Sequence, residues 1–155
     1  MTNIIAQGRV LVVEDDAGVR EGLTDILTGG GFEVVFAQDG REGLERLRAH
    51  CPDVVLLDLA MPVMTGQDFI LESRYDPRFS STPIVVMTAR GNGGDALPLD
   101  ADAVILKPFD ADTILQLVNH FAARVHGHGL RSKPLTQCAA SALDTAGVLG
   151  RGTSR

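Results

Sequence analysis

The chain has 155 residues, of which 45% are hydrophobic and 22% charged, proportions that are ordinary for a soluble globular protein. Its formal net charge of −6 argues against a nucleic-acid-binding protein, which would normally present a basic surface. The first residues are too few and too polar for a signal peptide, and the apolar runs are far shorter than the roughly 20 residues of a membrane helix. Two cysteines, Cys51 and Cys138, match no metal-binding spacing and are expected to be reduced thiols. We therefore expect a cytoplasmic protein with no membrane segment.

Charge is divided unevenly along the chain. Residues 1–123 carry 19 acidic and 9 basic side chains, whereas residues 124–155 carry 1 acidic and 5 basic side chains. Gly127 and Gly129 follow the break, and glycine-rich stretches are typical of linkers. We predict one folded domain over residues 1–123 and a basic, flexible tail over residues 124–155, with no DNA-binding domain after it.

Short apolar runs alternate with helical patterns along the first of these segments. The runs predict five strands, at residues 10–13, 32–36, 54–57, 83–87 and 103–106. Apolar side chains that recur every three or four positions predict helices at residues 19–27, 41–49, 67–75 and 110–124, the last with Asp110 as its N-cap. Alternating strands and helices indicate a parallel sheet, and strands that are apolar on both faces need helices on both sides. The expected fold is a doubly wound, five-stranded parallel α/β sheet.

A further helix is expected between the fourth and fifth strands, but its sequence is unfavourable. Residues 90–99 contain Gly91, Gly93, Gly94 and Pro98. Glycine costs about 1 kcal/mol and proline about 3 kcal/mol in a helix interior. We predict that this fourth helix is short or irregular.

Chemically active side chains follow four of the five predicted strands. They are Glu14, Asp15 and Asp16 after the first strand, Asp58 after the third, Thr88 at the end of the fourth and Lys107 after the fifth. The carboxyl ends of parallel strands lie along one edge of a sheet, where α/β proteins bind their ligands, so we expect these groups to converge. Singly, each has a simpler interpretation, such as a helix N-cap for Asp16 or a solvated charge for Lys107. The combination favours a functional site.

Clustered carboxylates point to a divalent cation, because it removes the repulsion between them. Mg²⁺ prefers oxygen ligands and is usually held by one or two carboxylates together with phosphate oxygens. Glu14, Asp15 and Asp58 would supply such ligands. Asp58 is then the expected nucleophile, since an aspartate can form an aspartyl-phosphate. Lys107 offers a positive charge to a phosphoryl group, and Thr88 offers a hydroxyl donor.

Four segments, in this order, resemble response-regulator receiver domains. They are VLVVEDD at residues 10–16, VVLLDLAMP at residues 54–62 followed by Gly66, IVVMTA at residues 84–89, and KPF at residues 107–109. The resemblance covers about residues 9–123. It implies a flavodoxin-like sheet with strand order 2-1-3-4-5, in a stand-alone regulator of two-component signalling similar to chemotaxis regulators.

The resemblance also implies a role for each site residue. Asp58 would be the phosphoacceptor, Thr88 and Lys107 would contact the phosphoryl group, and Mg²⁺ would be held by Glu14, Asp15, Asp58 and the backbone carbonyl of Ala60. The peptide bond between Lys107 and Pro108 would be cis. A sensor histidine kinase or a histidine phosphotransfer protein would donate the phosphoryl group from a phosphohistidine. The chain would catalyse only its own phosphorylation and dephosphorylation, and would not otherwise be an enzyme.

Two departures from the family pattern concern the output of the signal rather than the chemistry. The segment between Thr88 and Lys107 is shorter than usual, and Val104 stands where the family usually has tyrosine or phenylalanine. The alternative function is therefore a phosphorylation-independent interaction module with the same fold. The phosphorylated switch is favoured because the set of five site side chains is complete, namely Glu14, Asp15, Asp58, Thr88 and Lys107. A flavin or nucleotide binder is disfavoured, because no glycine-rich loop follows the first strand.

Overall fold

The computed structural model describes residues 7–61, 63–89 and 100–127. Strands and helices alternate through most of these ranges. Their order is β1 (Arg9–Val13), α1 (Ala17–Gly29), β2 (Glu33–Ala37), α2 (Gly40–His50), β3 (Val54–Asp58), α3 (Gly66–Tyr75), β4 (Ile84–Ala89), β5 (Ala103–Lys107) and α4 (Ala111–Gly127). No helix in the described ranges is both long enough and apolar enough to cross a membrane.

The five strands form one parallel sheet in the order β2-β1-β3-β4-β5. The predicted fold class and strand order are therefore confirmed. The register aligns Val13 with Leu57, Asp58 with Met87 and Ala89 with Lys107. Because all strands run the same way, their carboxyl ends form one edge of the sheet.

Helices cover both faces of the sheet, as the apolar strands required. On one face, Val10 and Val12 of β1 pack in a core with side chains of α1 and α4. On the other face, Leu11 and Val13 pack in a core with side chains of α2 and α3. This alternation follows from the two-residue period of a strand. The central strands β1 and β3 are thus held firmly, and the residues that follow them start from fixed positions.

Several apolar side chains at the periphery of the fold are exposed. Leu71 of α3 is exposed, because Phe69 and Ile70 already occupy the side of the helix that faces the sheet. On β5, Ile105 packs into the core with α4, whereas Val104 is 37% exposed and Leu106 is 44% exposed. Side chains alternate along a strand, so these two lie on the opposite face of an edge strand. The two-sided burial inferred for the strands does not hold for β5.

Other predictions fall at the limits of the described residues. Helix α4 continues past Arg124 to Gly127, across the boundary predicted between residues 123 and 124. The predicted short fourth helix, within residues 90–99, and the predicted flexible tail beyond residue 127 both lie outside the described ranges. Cys51 is disulfide-bonded, so the expectation of a reduced thiol is wrong there, while Cys138 lies outside the described residues. The bond removes one argument for a reducing cytoplasmic setting, and the location stays a prediction.

Two helical glycines differ sharply in what surrounds them. A methyl group added at Gly22, on the outer side of α1, would meet nothing within 4 Å. A methyl group added at Gly66, the first residue of α3, would lie 2.8 Å from the carbonyl oxygen of Asp58 and 2.9 Å from Cα of Leu59. Helix α3 therefore starts directly against the backbone that carries Asp58, and only glycine allows this approach.

The same substitution is expected to have opposite effects at these two positions. Gly22→Ala should raise the free energy of unfolding by about 0.5–1 kcal/mol, because alanine has the higher helix propensity and nothing opposes its side chain. Gly66→Ala should lower it by about 1–3 kcal/mol, because backbone atoms must move. Urea unfolding followed by circular dichroism measures both. Equal effects at the two positions would contradict the close approach of Gly66 to the Asp58 backbone.

Candidate functional site

Three carboxyl groups converge at the edge formed by the carboxyl ends of the strands. Glu14 and Asp15 follow β1 directly, and Asp58 is the last residue of the neighbouring strand β3. Each offers one carboxylate oxygen, and these oxygens all lie within 4.8 Å of one another. The convergence expected from the strand ends is therefore present. Three hard oxygen donors at this spacing are the chemistry that suits a divalent cation such as Mg²⁺.

Lys107 brings a positive charge to the same place from β5. Its ammonium nitrogen, Nζ, lies 2.9 Å from Oε2 of Glu14 and 3.7 Å from Oδ2 of Asp58. The simpler interpretation of Lys107 as a solvated charge is therefore wrong. The peptide bond between Lys107 and Pro108 is cis, as the family resemblance implied.

Glu14 is the most deeply buried of the three acids, with only 1% of its surface exposed. Its Oε1 accepts a hydrogen bond from the Asp16 backbone N–H at 3.3 Å, and its own N–H donates to the Ala37 carbonyl at 3.0 Å. Burial raises the pKa of the Glu14 carboxyl to about 7, with a contribution from the negative charge of Asp58 and against the opposing effect of Lys107.

The pKa of the Lys107 ammonium is raised as well. Burial acts to lower it, but the hydrogen bond to Glu14 and the negative charges of Asp58, Glu14 and Asp15 outweigh that effect. The lysine therefore keeps its proton throughout the physiological range. It supplies a permanent positive charge between the ends of β1 and β3.

Asp58 is held by the loop that follows it. Its carboxylate is nearly buried, and Oδ1 accepts a hydrogen bond from the Ala60 backbone N–H at 3.2 Å. The next residue, Leu59, donates its N–H to the Met87 carbonyl and accepts a hydrogen bond from the Gly66 N–H at 3.2 Å. These contacts fix the carboxylate orientation, with Oδ2 on the side of Lys107.

Two predicted residues lie at the rim of this cluster. Thr88 is half-buried on β4, one position beyond Met87, the residue that aligns with Asp58. It therefore lies at the same edge of the sheet as the acids. Asp16 caps α1 instead, because its Oδ1 accepts a hydrogen bond from the Val19 N–H at 3.0 Å. The simpler interpretation of Asp16 is thus confirmed.

One contact at the site was not found from the sequence. Nη1 of Arg20 donates to the backbone carbonyl of Glu14 at 3.1 Å. The guanidinium carbon of Arg20 lies 5.4 Å from the ring centre of Phe36, within the range of a cation–π interaction. The only hint of this contact in the sequence was the position of Arg20, one helical turn after Asp16. That spacing says nothing about which group the side chain reaches.

Comparison with known proteins gives a consistent result. The sequence matches the family model described as "Response regulator receiver domain" over residues 10–119. It is 38% identical over 119 residues to Response regulator Rre1 of Synechocystis sp., covering 74% of this chain and 52% of that protein. It is 36% identical over 115 residues to Chemotaxis protein CheY of Bacillus subtilis, covering 72% of this chain and 94% of that protein.

A solved structure agrees with these relatives. The fold is similar to that of chemotaxis protein CheY4 of Vibrio cholerae, with a TM-score of 0.68 and 30% sequence identity, covering 75% of this chain and 99% of that chain. The chain spans about half the length of Rre1 and less than half that of several other curated relatives, so the match concerns only part of those proteins. The acidic edge described above is the kind of pocket at which receiver domains typically bind Mg²⁺. On the match over residues 10–119, this chain belongs to the response regulator receiver domain family.

Proposed function

We propose that this receiver domain accepts a phosphoryl group on the Asp58 carboxylate in a Mg²⁺-dependent reaction. The donor would be the phosphohistidine of a sensor histidine kinase or a histidine phosphotransfer protein. One observation carries the proposal. The carboxylates of Glu14, Asp15 and Asp58 lie within 4.8 Å of one another, with Nζ of Lys107 beside two of them. The phosphorylated domain would signal by protein–protein interaction.

The residues present fit a Mg²⁺ ion. We assign the three carboxylates as its protein ligands. The family resemblance adds the backbone carbonyl of Ala60, and water and phosphate oxygens would fill the remaining positions. When bound, the ion would neutralise charge on the phosphoryl oxygens during transfer. Without it, the single ammonium of Lys107 offsets only part of the charge of three neighbouring acids.

The chemical step would use the Asp58 carboxylate as nucleophile. Oδ2 forms a bond to phosphorus while the bond from phosphorus to the donor imidazole nitrogen breaks. The electron pair of that bond remains on the ring, and a proton on its other nitrogen makes neutral imidazole the leaving group. The hydrogen bond from the Ala60 N–H to Oδ1 keeps the attacking oxygen oriented throughout.

Lys107 and Thr88 would stabilise the product. Before transfer, the Lys107 ammonium lies beside the carboxylates of Glu14 and Asp58 and offsets part of their negative charge. A phosphoryl group on Asp58 adds negative charge within reach of the same ammonium, and a charge-assisted hydrogen bond can form. The Thr88 hydroxyl would donate to another phosphoryl oxygen. Residues 90–99, where the short fourth helix is predicted, lie outside the described ranges.

The first test asks whether Asp58 is modified. Acetyl phosphate with Mg²⁺ should retard the wild-type protein on a phosphate-affinity gel, and should not retard Asp58→Asn, which keeps the shape but removes the nucleophile. Asp16→Asn is the matched control, because asparagine also caps helices and this residue lies outside the proposed ligand set. It should be retarded like the wild type. A wild type that stays unmodified, even with a phosphohistidine donor, would support the phosphorylation-independent alternative.

The second test uses the raised pKa of Glu14. Because the folded-state pKa, about 7, exceeds the ordinary value of 4.5, stability from this group is fully present below pH 4.5 and is lost as pH rises through 7. Mg²⁺ must displace the proton, so its dissociation constant should increase by up to about tenfold per pH unit below 7. Calorimetric titration at pH 6, 7 and 8 measures this. An affinity that is the same at all three values would contradict the assignment of Glu14 as a ligand.

A further inference from the structure

The backbone of Glu14 is fixed on both sides of the residue. Its N–H donates to the Ala37 carbonyl of β2 at 3.0 Å, and its carbonyl accepts from Nη1 of Arg20 at 3.1 Å. The second bond matters for the site, because that carbonyl belongs to the peptide that joins Glu14 to Asp15. The peptide cannot rotate without breaking it. Its orientation sets where both carboxylates of the acidic pair point.

Arg20 is itself held in place. It lies in the first turn of α1, where its N–H donates to the Asp16 carbonyl at 3.0 Å. Its guanidinium lies over the ring of Phe36, which is 47% exposed on the edge strand β2. A large aromatic side chain left half in water contributes little to the core. Its contact with Arg20 gives it a clear role, since a cation over an aromatic face is worth about 0.5–1 kcal/mol at exposed sites.

We propose that Arg20 is a positioning residue for the acidic pair, holding the Glu14–Asp15 peptide in the orientation that binds the metal ion, and that Phe36 holds Arg20. The inference rests on the Mg²⁺ site of the proposed function. Arg20 is neither a ligand nor a contact of the phosphoryl group. Removing a group that orients a ligand in this way typically weakens metal binding by 10- to 100-fold.

The charge of Arg20 makes the proposal easy to separate from a simple electrostatic effect. A guanidinium close to a cation site repels the cation, so loss of its charge alone would tighten Mg²⁺ binding. Loss of a positioning hydrogen bond weakens it. The two explanations therefore predict changes of opposite sign for the same substitution.

The experiment is a calorimetric Mg²⁺ titration of the full chain and three variants. Arg20→Met keeps the apolar stem but removes the donor, and should raise the dissociation constant about tenfold. Phe36→Leu keeps Arg20 and removes only the ring, and should raise it less. Arg46→Met is the control, because Arg46 forms a surface pair with Glu42 on α2 and should leave Mg²⁺ affinity unchanged. At saturating Mg²⁺, the rate of phosphorylation of Arg20→Met by acetyl phosphate should return close to that of the wild type.

Each remaining outcome decides against the inference. Unchanged or tighter Mg²⁺ binding by Arg20→Met overturns it, and so does a lower melting temperature with an unchanged dissociation constant, which marks a merely structural role. If Arg20→Met does not fold, Phe36→Leu carries the test, and an unchanged affinity in that variant overturns the inference. A wild type that binds no Mg²⁺ overturns the proposed metal site as well, whereas normal wild-type binding confines the failure to Arg20.

Discussion

A carboxyl group as deeply buried as that of Glu14 must either keep a proton or face a cation. In this protein it faces Lys107, whose Nζ lies 2.9 Å away and whose charge also reaches Asp58 at 3.7 Å. One ammonium group thus joins the ends of β1, β3 and β5. It leaves a net negative site, because Asp15 lies in the same cluster. The excess negative charge would attract a divalent cation, and the bound cation would in turn offset the charge of a phosphoryl group.

The sheet makes this arrangement possible. Glu14 and Lys107 are 93 positions apart in the chain. The strand order places β1 next to β3, and β5 lies two strands beyond β3. The long, flexible stem of lysine covers the remaining distance, which a shorter cationic side chain would not. Gly66 completes the geometry by allowing α3 to begin against the backbone of Asp58. The site therefore depends on backbone placement as much as on its charged side chains.

Much of this could be predicted from the sequence, because the signals are local. Buried strands produce apolar runs, and the residues that follow parallel strands must share one edge, so Glu14, Asp15, Asp58 and Lys107 could be placed together; the strand order itself came from the family resemblance. The contact of Arg20 with the Glu14 carbonyl and the Phe36 ring could not be predicted, since it depends on how α1 is rotated against β2. The exposure of Leu106 was missed for a similar reason, because an apolar strand does not reveal which of its faces is covered.

Among several neighbouring acids, Asp58 is the residue that we propose to carry the phosphoryl group. Borohydride reduces an aspartyl-phosphate to an alcohol, and mass spectrometry of the resulting peptides then locates the altered residue. After treatment with acetyl phosphate and Mg²⁺, the account predicts this conversion at Asp58 and at no other carboxyl group. Conversion at Asp15 or Asp16, or phosphorylated protein in which Asp58 remains unaltered, would contradict it.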